Sequence, residues 1–154
     1  MLGRFIVFEG GEGSGKSSHI QLSADFLRQR GYTVVTTHEP GGTQLGLHLR
    51  QIILEANEQA DHVPVSTKAE LLLFLADRAQ HIAELIQPAL DRGEIVLCDR
   101  FTGSTLAYQI GGRHLQDELL IRQVEAFARD GIQPDLTIYL DLEPRIGIER
   151  KQRQ

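Results

Sequence analysis

The chain has 154 residues, 41% of them hydrophobic and 24% charged, with a formal net charge of −5 and one cysteine. This length suits one domain with a sizeable core, and no apolar run reaches the ~18 residues of a membrane span. The negative charge disfavours a duplex nucleic-acid binder, because nothing offsets repulsion from the phosphate backbone. Cys98 is the only cysteine in the sequence, so no internal disulfide can form, and a reducing, cytoplasmic compartment is expected.

Residues 10–18 read GGEGSGKSS and match the phosphate-binding pattern G-x-x-x-x-G-K-[ST]. A strand-like apolar run precedes the motif, and apolar residues recur at helical spacing from Ile20 to Leu27. In this context backbone N–H groups and Lys16 would hold nucleotide phosphates, and the Ser17 hydroxyl could ligate Mg²⁺. The predicted cofactor-binding residues are Gly10, Gly11, Glu12, Gly13, Ser14, Gly15, Lys16, Ser17 and Ser18.

A second strand is predicted at Thr33–Thr37, followed by the sequence HEPGGT at residues 38–43. Ligands bind at the carboxyl edge of open α/β sheets, so this segment is either part of a site or an ordinary Pro-Gly turn. A short helix is predicted from Leu45 to Leu54, and residues 55–65 are predicted to form a surface loop. Arg50 in that helix is either solvated or holds a second anion.

The longest helix is predicted from Lys68 to about Leu90, opened by a capping box at residues 67–70. Phe74, Arg78 and His81 share one face of it. Two interpretations stay open at this point: a core phenylalanine beside a solvated arginine, or an aromatic plane and a guanidinium that together bind a base.

A third strand at 95–100 ends in Asp99 and Arg100. An aspartate at the end of an apolar strand suits a Mg²⁺ ligand near phosphates, although it could be a loop aspartate paired with its neighbour. An amphipathic helix is predicted at 115–129 through Leu120, Val124 and Phe127, then a strand at 135–140 and a last helix from residue 141. Strands alternating with helices predict an α/β fold with a parallel sheet.

Five stretches together resemble the bacterial thymidylate kinase family. They are FEGGEGSGKSS, EPGGTQLG, FLADRAQH, CDRFTGSTLAYQ and YLDLEP, at residues 8–18, 39–46, 74–81, 98–109 and 139–144. The resemblance implies a three-layer P-loop kinase fold in a single domain at 1–154, with sheet order 2-3-1-4. It also implies a homodimer. Relatives continue past Gln154 through an arginine-bearing lid and a fifth strand, so the chain is expected to be C-terminally incomplete.

The resemblance also implies roles for single residues. Arg50 and Arg100 match arginines of the family that bind the phosphate of dTMP. Phe74 matches the ring that stacks on thymine, and Arg78 matches the arginine that recognises the edge of thymine. Thr105 matches a small polar residue that contacts the base, and Tyr108 matches a tyrosine under the deoxyribose. The implied substrate-binding residues are Glu39, Arg50, Phe74, Arg78, Arg100, Thr105 and Tyr108. The implied catalytic set is Lys16, Glu12, Asp99 and Arg100, with Ser17 and Asp99 as metal ligands.

The expected reaction is therefore phosphoryl transfer from ATP to dTMP, with Mg²⁺ and with no nucleic-acid or membrane partner.

Two departures from the family pattern are Phe101, where many relatives have tyrosine, and Ile110, which interrupts an AYQG run. The alternatives are a P-loop kinase for another nucleotide or nucleoside, and a P-loop GTPase switch. The sequence disfavours the switch because Asn57 is its only asparagine and no N-K-x-D motif exists to read guanine.

Overall fold

The structure is a computed structural model that describes residues 2–58, 65–113, 115 and 117–153. The chain divides into two compact units. The first unit comprises residues 1–38, 89–101 and 134–154, and the second comprises residues 39–88 and 102–133. That the whole chain acts as a single domain stays a prediction.

The first unit contains a four-stranded sheet of β1 (Arg4–Gly10), β2 (Val34–His38), β3 (Ile95–Asp99) and β4 (Leu136–Leu140). The strand order is β2-β3-β1-β4 and all three pairings are parallel, which confirms the predicted topology. In the register of β1 with β3, Phe8 lies opposite Asp99. The end of β3 and the start of the glycine-rich loop therefore meet at the same edge of the sheet.

Helix α1 (Lys16–Arg28) covers one face of this sheet. Its buried residues Ile20 and Ala24 belong to one cluster with Phe8 and Leu97 from the two central strands. Phe5 packs edge-on against Phe101, with ring centroids 5.0 Å apart and planes at 89°. Full burial of a Phe, Leu or Ile side chain stabilises the fold by about 1.5–3 kcal/mol, so these contacts hold α1 against the central strands.

The second unit is helical. It contains α2 (Gln44–Glu58), α3 (Thr67–His81), α5 (Thr102–Leu106) and α6 (Glu118–Arg129). Helix α3 continues through a π-helical segment, Ile82–Ile86, into α4 (Gln87–Asp91), of which residues 89–91 belong to the first unit. A second π-helical segment, Ala107–Gly112, follows α5. The core of this unit is formed by Leu71 and Leu75 of α3 with Ile121 and Ala128 of α6.

The helix predicted from Lys68 to about Leu90 is present as α3, the π-helical segment and α4 in unbroken succession. Other local predictions were wrong. The N-cap of this helix is Ser66 and not Thr67, because the Ser66 Oγ accepts a hydrogen bond from the Ala69 N–H at 3.3 Å. No helix was predicted within residues 101–112, where α5 and the second π-helical segment lie. Helix α2 continues to Glu58 into the predicted loop, and the rest of that loop at 59–64 lies outside the described residues.

The buried face of α6 also differs from the predicted one. Leu120 is 52% exposed and Phe127 is 87% exposed, whereas Ile121, Glu125 and Ala128 are buried. The pattern of apolar residues predicted the wrong buried face, because it treats glutamate as solvated. The Glu125 carboxylate is instead buried, and its charge is compensated by ion pairs with Arg78 and Arg129. Over the described part of the chain, no helix combines the length and the apolar character needed to cross a bilayer.

Asp135 joins the start of β4 to β1. Its carboxylate accepts hydrogen bonds from the Phe5 N–H at 2.8 Å and from Arg4 Nη1 at 2.7 Å. The hydrogen bond from the Phe5 N–H is the main reason that the pKa of the Asp135 carboxyl lies below its ordinary value, and the hydrogen bond from Arg4 lowers the pKa further. A lowered carboxyl pKa means that the contribution to stability is present above the unfolded-state pKa and is lost as the pH falls through the folded-state pKa.

We expect Asp135→Ala to lower the free energy of unfolding by about 1–2 kcal/mol at pH 7, because the Phe5 N–H loses a charged acceptor. The difference from wild type should shrink towards pH 3, and urea denaturation at the two pH values measures it. Glu149→Ala is the control, because the Glu149 pair with Arg145 is exposed and spans 3.6 Å. Equal losses in both variants at pH 7 would contradict this account.

Candidate active site

The glycine-rich loop lies between the end of β1 at Gly10 and the start of α1 at Lys16. Gly13 and Gly15 have φ angles of 65° and 90°, in the left-handed region where a side chain would be strained. Gly15 is also the N-cap of α1. The loop backbone therefore leads directly into a helix N-terminus, which is the arrangement that binds phosphate anions.

Lys16 is buried beneath this loop. Its Nζ donates to the carbonyl oxygens of Gly10 at 3.1 Å and Gly11 at 3.0 Å, and it lies 4.0 Å from Asp99 Oδ1. Burial lowers the pKa of the Lys16 amine, and the positive charge of Arg100 lowers it further. The ammonium group is thus held at the loop by backbone acceptors.

Ser17 and Asp99 present oxygens beside Lys16. The Ser17 hydroxyl donates to Asp99 Oδ2 at 3.4 Å, while the buried Asp99 Oδ1 has no hydrogen-bond partner within the described residues. No group of three or more His, Cys, Asp or Glu side chains in the described ranges could by itself hold a metal ion. Two protein oxygens fit Mg²⁺, which takes one or two protein ligands and completes its shell with water and substrate phosphates.

Arg100 has a left-handed φ of 69° and points back to the loop, where its Nη1 donates to the Gly10 carbonyl at 3.2 Å. Its Nη2 lies 3.7 Å from Glu12 Oε1. A non-glycine residue held in this conformation marks stored backbone strain, which concentrates at functional sites. Glu12, Lys16, Ser17, Asp99 and Arg100, which we call the phosphate-loop cluster, are therefore brought together in the first unit.

Helix α7 (Pro144–Gln152) rests on the backbone of this loop. A Cβ on Gly147 would collide with the Glu12 carbonyl oxygen, and one on Gly13 would collide with the Gly147 carbonyl. One turn later, Lys151 Nζ forms an ion pair with Glu12. That hydrogen bond is the largest cause of the lowered pKa of the Glu12 carboxyl. Sequence analysis missed Gly147 and Lys151, although an isolated glycine in a helical pattern was an available signal.

In the second unit, Arg78 is 2% exposed and is surrounded by acceptors. Its Nε and Nη2 donate to Glu39 Oε2 at 2.9 and 2.8 Å, and Nη2 also donates to Thr105 Oγ1 at 2.8 Å. Its Nη1 donates to Glu125 Oε1 at 3.2 Å. The structure therefore excludes a solvated Arg78 and brings together three predicted site residues, Glu39, Arg78 and Thr105.

The carboxylates that hold Arg78 are themselves bonded on both oxygens. Glu39 Oε1 lies 3.0 Å from Nδ1 of the buried His81. Glu125 accepts from Thr102 Oγ1 at 2.5 Å and from Arg129 Nε at 2.8 Å. Sequence analysis missed Glu125, because a glutamate within a helical pattern is ordinarily solvated. We call Glu39, Arg78, Thr105 and Glu125 the Arg78 cluster.

The segment at 39–43 begins with Glu39, and its peptide bond to Pro40 is cis. The Gly41 N–H donates to Asp77 Oδ1 at 3.0 Å, and Arg50 Nη1 donates to the Pro40 carbonyl at 3.0 Å. Burial raises the pKa of the Asp77 carboxyl to about 6. Arg50 is half-buried and hydrogen-bonded to this segment, so its guanidinium is held in place by the protein and is not freely solvated.

Gln109 is a further residue that the sequence analysis did not select. It is fully buried in the π-helical segment that follows α5, and neither its amide oxygen nor its amide nitrogen has a hydrogen-bond partner within the described residues. Such a group costs about 1–3 kcal/mol unless a ligand or water pairs with it. Its spacing of four residues from Thr105 was an available signal. The other predicted residues of this region are more open: Phe74 is half-buried and Tyr108 is 49% exposed.

The family model for thymidylate kinase matches residues 8–154. The thymidylate kinase of Nostoc sp. is 49% identical over 152 residues, which cover 99% of this chain and 70% of that protein. The enzyme of Desulfovibrio desulfuricans is 51% identical over 146 residues, covering 95% of this chain and 65% of its own length. A crystal structure of the Ehrlichia chaffeensis thymidylate kinase aligns with a TM-score of 0.83 at 35% identity, covering 99% of this chain and 84% of that one.

We expect Gly147→Ala to lower the free energy of unfolding, although alanine favours a helix over glycine by about 1 kcal/mol. The added methyl group must displace α7 or the Glu12–Gly13 backbone, and overpacking typically costs about 1–3 kcal/mol. Thermal denaturation measures the loss of stability as a lower midpoint. Gly111→Ala is the matched control, because a Cβ there meets open space. A Gly147→Ala variant as stable as this control would refute the close packing.

Proposed function

The chain belongs to the thymidylate kinase family, and from this premise we propose how its residues transfer the γ-phosphoryl group of ATP to dTMP, giving ADP and dTDP. Phosphoryl transfer needs little covalent chemistry from a protein, but it needs in-line positioning and neutralisation of charge. The observation that carries the proposal is the phosphate-loop cluster, in which a buried lysine already lies at the loop carbonyls.

We propose that the loop N–H groups and Lys16 bind the phosphates of ATP. Lys16 would exchange its backbone acceptors for phosphate oxygens, which carry full negative charge and bind it more strongly. Ser17 and Asp99 would hold a Mg²⁺ ion, which would supply neutralisation of phosphate charge. Asp99 Oδ1 supports this assignment, because this buried carboxylate oxygen accepts no hydrogen bond within the described residues and lies 4.0 Å from Lys16 Nζ, which leaves it able to accept a further ligand.

We propose that Arg50 and Arg100 contact the phosphate of dTMP, whose oxygen attacks the γ-phosphorus. That phosphate is largely ionised near neutral pH, so no strong general base is needed. Glu12 would act by orienting Arg100, from which it is separated by 3.7 Å, rather than by removing a proton.

For the base, we propose that Phe74 stacks on thymine while Arg78, Thr105 and Gln109 face its polar edge, and that Tyr108 lies against the deoxyribose. Glu39 acts through Arg78, whose Nε and Nη2 it holds. The primary amide of Gln109 carries both a donor and an acceptor, which complements the adjacent N3–H and carbonyl of thymine.

The alternative kinases and the GTPase switch are not favoured, because the family match spans residues 8–154 and the relatives are thymidylate kinases. We further propose that the enzyme acts in the cytoplasm as a homodimer. The single cysteine supports the compartment, and the family resemblance supports the dimer.

We expect Lys16→Ala to reduce kcat on the order of 10³-fold or more, because a developing phosphate charge loses its cation. A coupled assay of ADP formation measures the loss, and circular dichroism checks that the fold persists. Lys68→Ala, which removes an exposed lysine from the first turn of α3, should retain wild-type activity. Retention of more than about a tenth of the activity by Lys16→Ala would refute the assigned role.

Gln109 provides a cleaner test of base recognition than Arg78. Removing Arg78 would deprive two buried carboxylates of their partner, at a cost of about 3–5 kcal/mol in stability. Gln109→Met keeps the side-chain length and removes only an unpaired amide.

We expect Gln109→Met to unfold at the same or a higher temperature than wild type, and to bind dTMP more weakly by about 1–3 kcal/mol. Calorimetric titration with dTMP, beside a thermal melt, measures both quantities. Unchanged dTMP affinity would remove Gln109 from the proposed site, and a lower melting temperature would mean that its amide serves the fold.

A further inference from the structure

The segment at 39–43 is held by two consecutive side chains of α3. Arg78 binds the Glu39 carboxylate through Nε and Nη2, and Asp77 Oδ1 accepts the Gly41 N–H at 3.0 Å. These two anchors lie on either side of Pro40 in the sequence. The position of the Pro40 carbonyl is therefore set by α3.

The Pro40 carbonyl in turn holds Arg50 of α2. Arg50 Nη1 donates to it at 3.0 Å, and the arginine is half-buried. A guanidinium with one N–H fixed on a carbonyl has its remaining donors presented in a fixed plane. A continuous path of hydrogen bonds and one peptide unit thus runs from Asp77 through Gly41 and Pro40 to Arg50.

The surroundings of Asp77 are shaped to admit its carboxylate. A Cβ on Gly46 would collide with Asp77 Oδ1, and the Gly46 N–H is itself bonded to Thr43 Oγ1 at 3.0 Å. Asp77 is 1% exposed, and its Oδ2 has no hydrogen-bond partner within the described residues. Glu39, Arg78 and His81 supply the charges that act on it, and burial is the main cause of its raised pKa of about 6.

A buried carboxylate with one unpaired oxygen destabilises the fold relative to an apolar residue of the same shape. Its presence therefore needs a compensating role. The proposed function leaves Asp77 without one, because the base is assigned to Arg78 and the phosphate to Arg50.

We propose that Asp77 is a positioning residue of the dTMP site, whose carboxylate fixes Gly41 and, through the Pro40 carbonyl, orients the Arg50 guanidinium towards the phosphate of dTMP. This inference rests on the proposed function, in which Arg50 contacts that phosphate. Asp77 thereby connects α3, whose Arg78 is proposed to contact the base, to Arg50, which is proposed to contact the phosphate. Its loss should remove affinity for the phosphate and leave affinity for the nucleoside.

The test compares dTMP with thymidine, which has the same base and sugar but no phosphate, by calorimetry at pH 7.5 on the full chain. Asp77→Ala should weaken dTMP about tenfold or more, which corresponds to about 1.4 kcal/mol, and change thymidine less than about twofold. Asp77→Asn keeps an acceptor oxygen for the Gly41 N–H and should recover most of the dTMP affinity. Asp77→Leu, which matches the shape of asparagine without an acceptor, should behave like Asp77→Ala.

Arg50→Ala separates this inference from the proposed function. It should reproduce the selective loss of dTMP affinity, and Asp77→Ala combined with Arg50→Ala should lose little more than Arg50→Ala alone. If Arg50→Ala binds dTMP normally, the proposed role of Arg50 fails. If Arg50→Ala is weakened and Asp77→Ala is not, the proposed function stands and the inference about Asp77 is overturned.

Glu84→Ala is the charge-matched control, since Glu84 is exposed and accepts a hydrogen bond from Gln80. It should bind both ligands as wild type does. Equal losses of dTMP and thymidine affinity in Asp77→Ala would mean that Asp77 only supports the fold, and would overturn the proposal. Failure of both Asp77→Ala and Asp77→Leu to fold in a thermal melt would overturn it in the same way.

Discussion

The buried guanidinium of Arg78 is the charge around which the second unit is arranged. A cation that is 2% exposed can be kept in a medium of low dielectric constant only if anions are buried with it. Glu39 and Glu125 provide them from a loop and from α6, and Thr105 satisfies a further donor. The loop, α3, α5 and α6 must therefore keep one mutual arrangement. The directions of the guanidinium donors are fixed by this network, and under the proposed function that rigidity would limit the base edges that the site accepts.

In the first unit the controlling constraint is the register of parallel strands. Because Phe8 lies opposite Asp99, the carboxylate at the end of β3 is placed beside the first helical residues after the loop. Lys16 is held at the loop by two backbone carbonyls. A preorganised cation loses little freedom on binding phosphate, which is the condition under which electrostatic catalysis is strong. Helix α7 adds to this order, since its Gly147 leaves no space between the helix and the loop backbone.

Much of this arrangement could be predicted from the sequence, and the exceptions have a common cause. Residues 10–18 and the apolar strands carry strong local patterns, so the phosphate loop and the four strands were predicted from the residues, whereas the strand order was implied by the family resemblance. Glu125 and Gln109 were missed because burial of a polar side chain depends on partners from distant segments, which periodicity does not encode. The exposed Phe127 on α6 is the converse case, an apolar residue that local pattern assigned to a buried face. Asp77 lies within a recognised stretch, yet its contact with Gly41 joins residues 36 positions apart.

As a member of the thymidylate kinase family, this chain phosphorylates dTMP with ATP, and we propose that its second unit selects thymine among bases. The most direct measurement is transfer of the labelled γ-phosphate of ATP to each of dTMP, dUMP, dCMP, dAMP and dGMP at equal, sub-saturating concentrations. We expect dTDP to form fastest, and we expect dCMP, whose base edge carries an amino group in place of a carbonyl, to be phosphorylated far more slowly. Faster transfer to a purine nucleotide or to dCMP than to dTMP would contradict it.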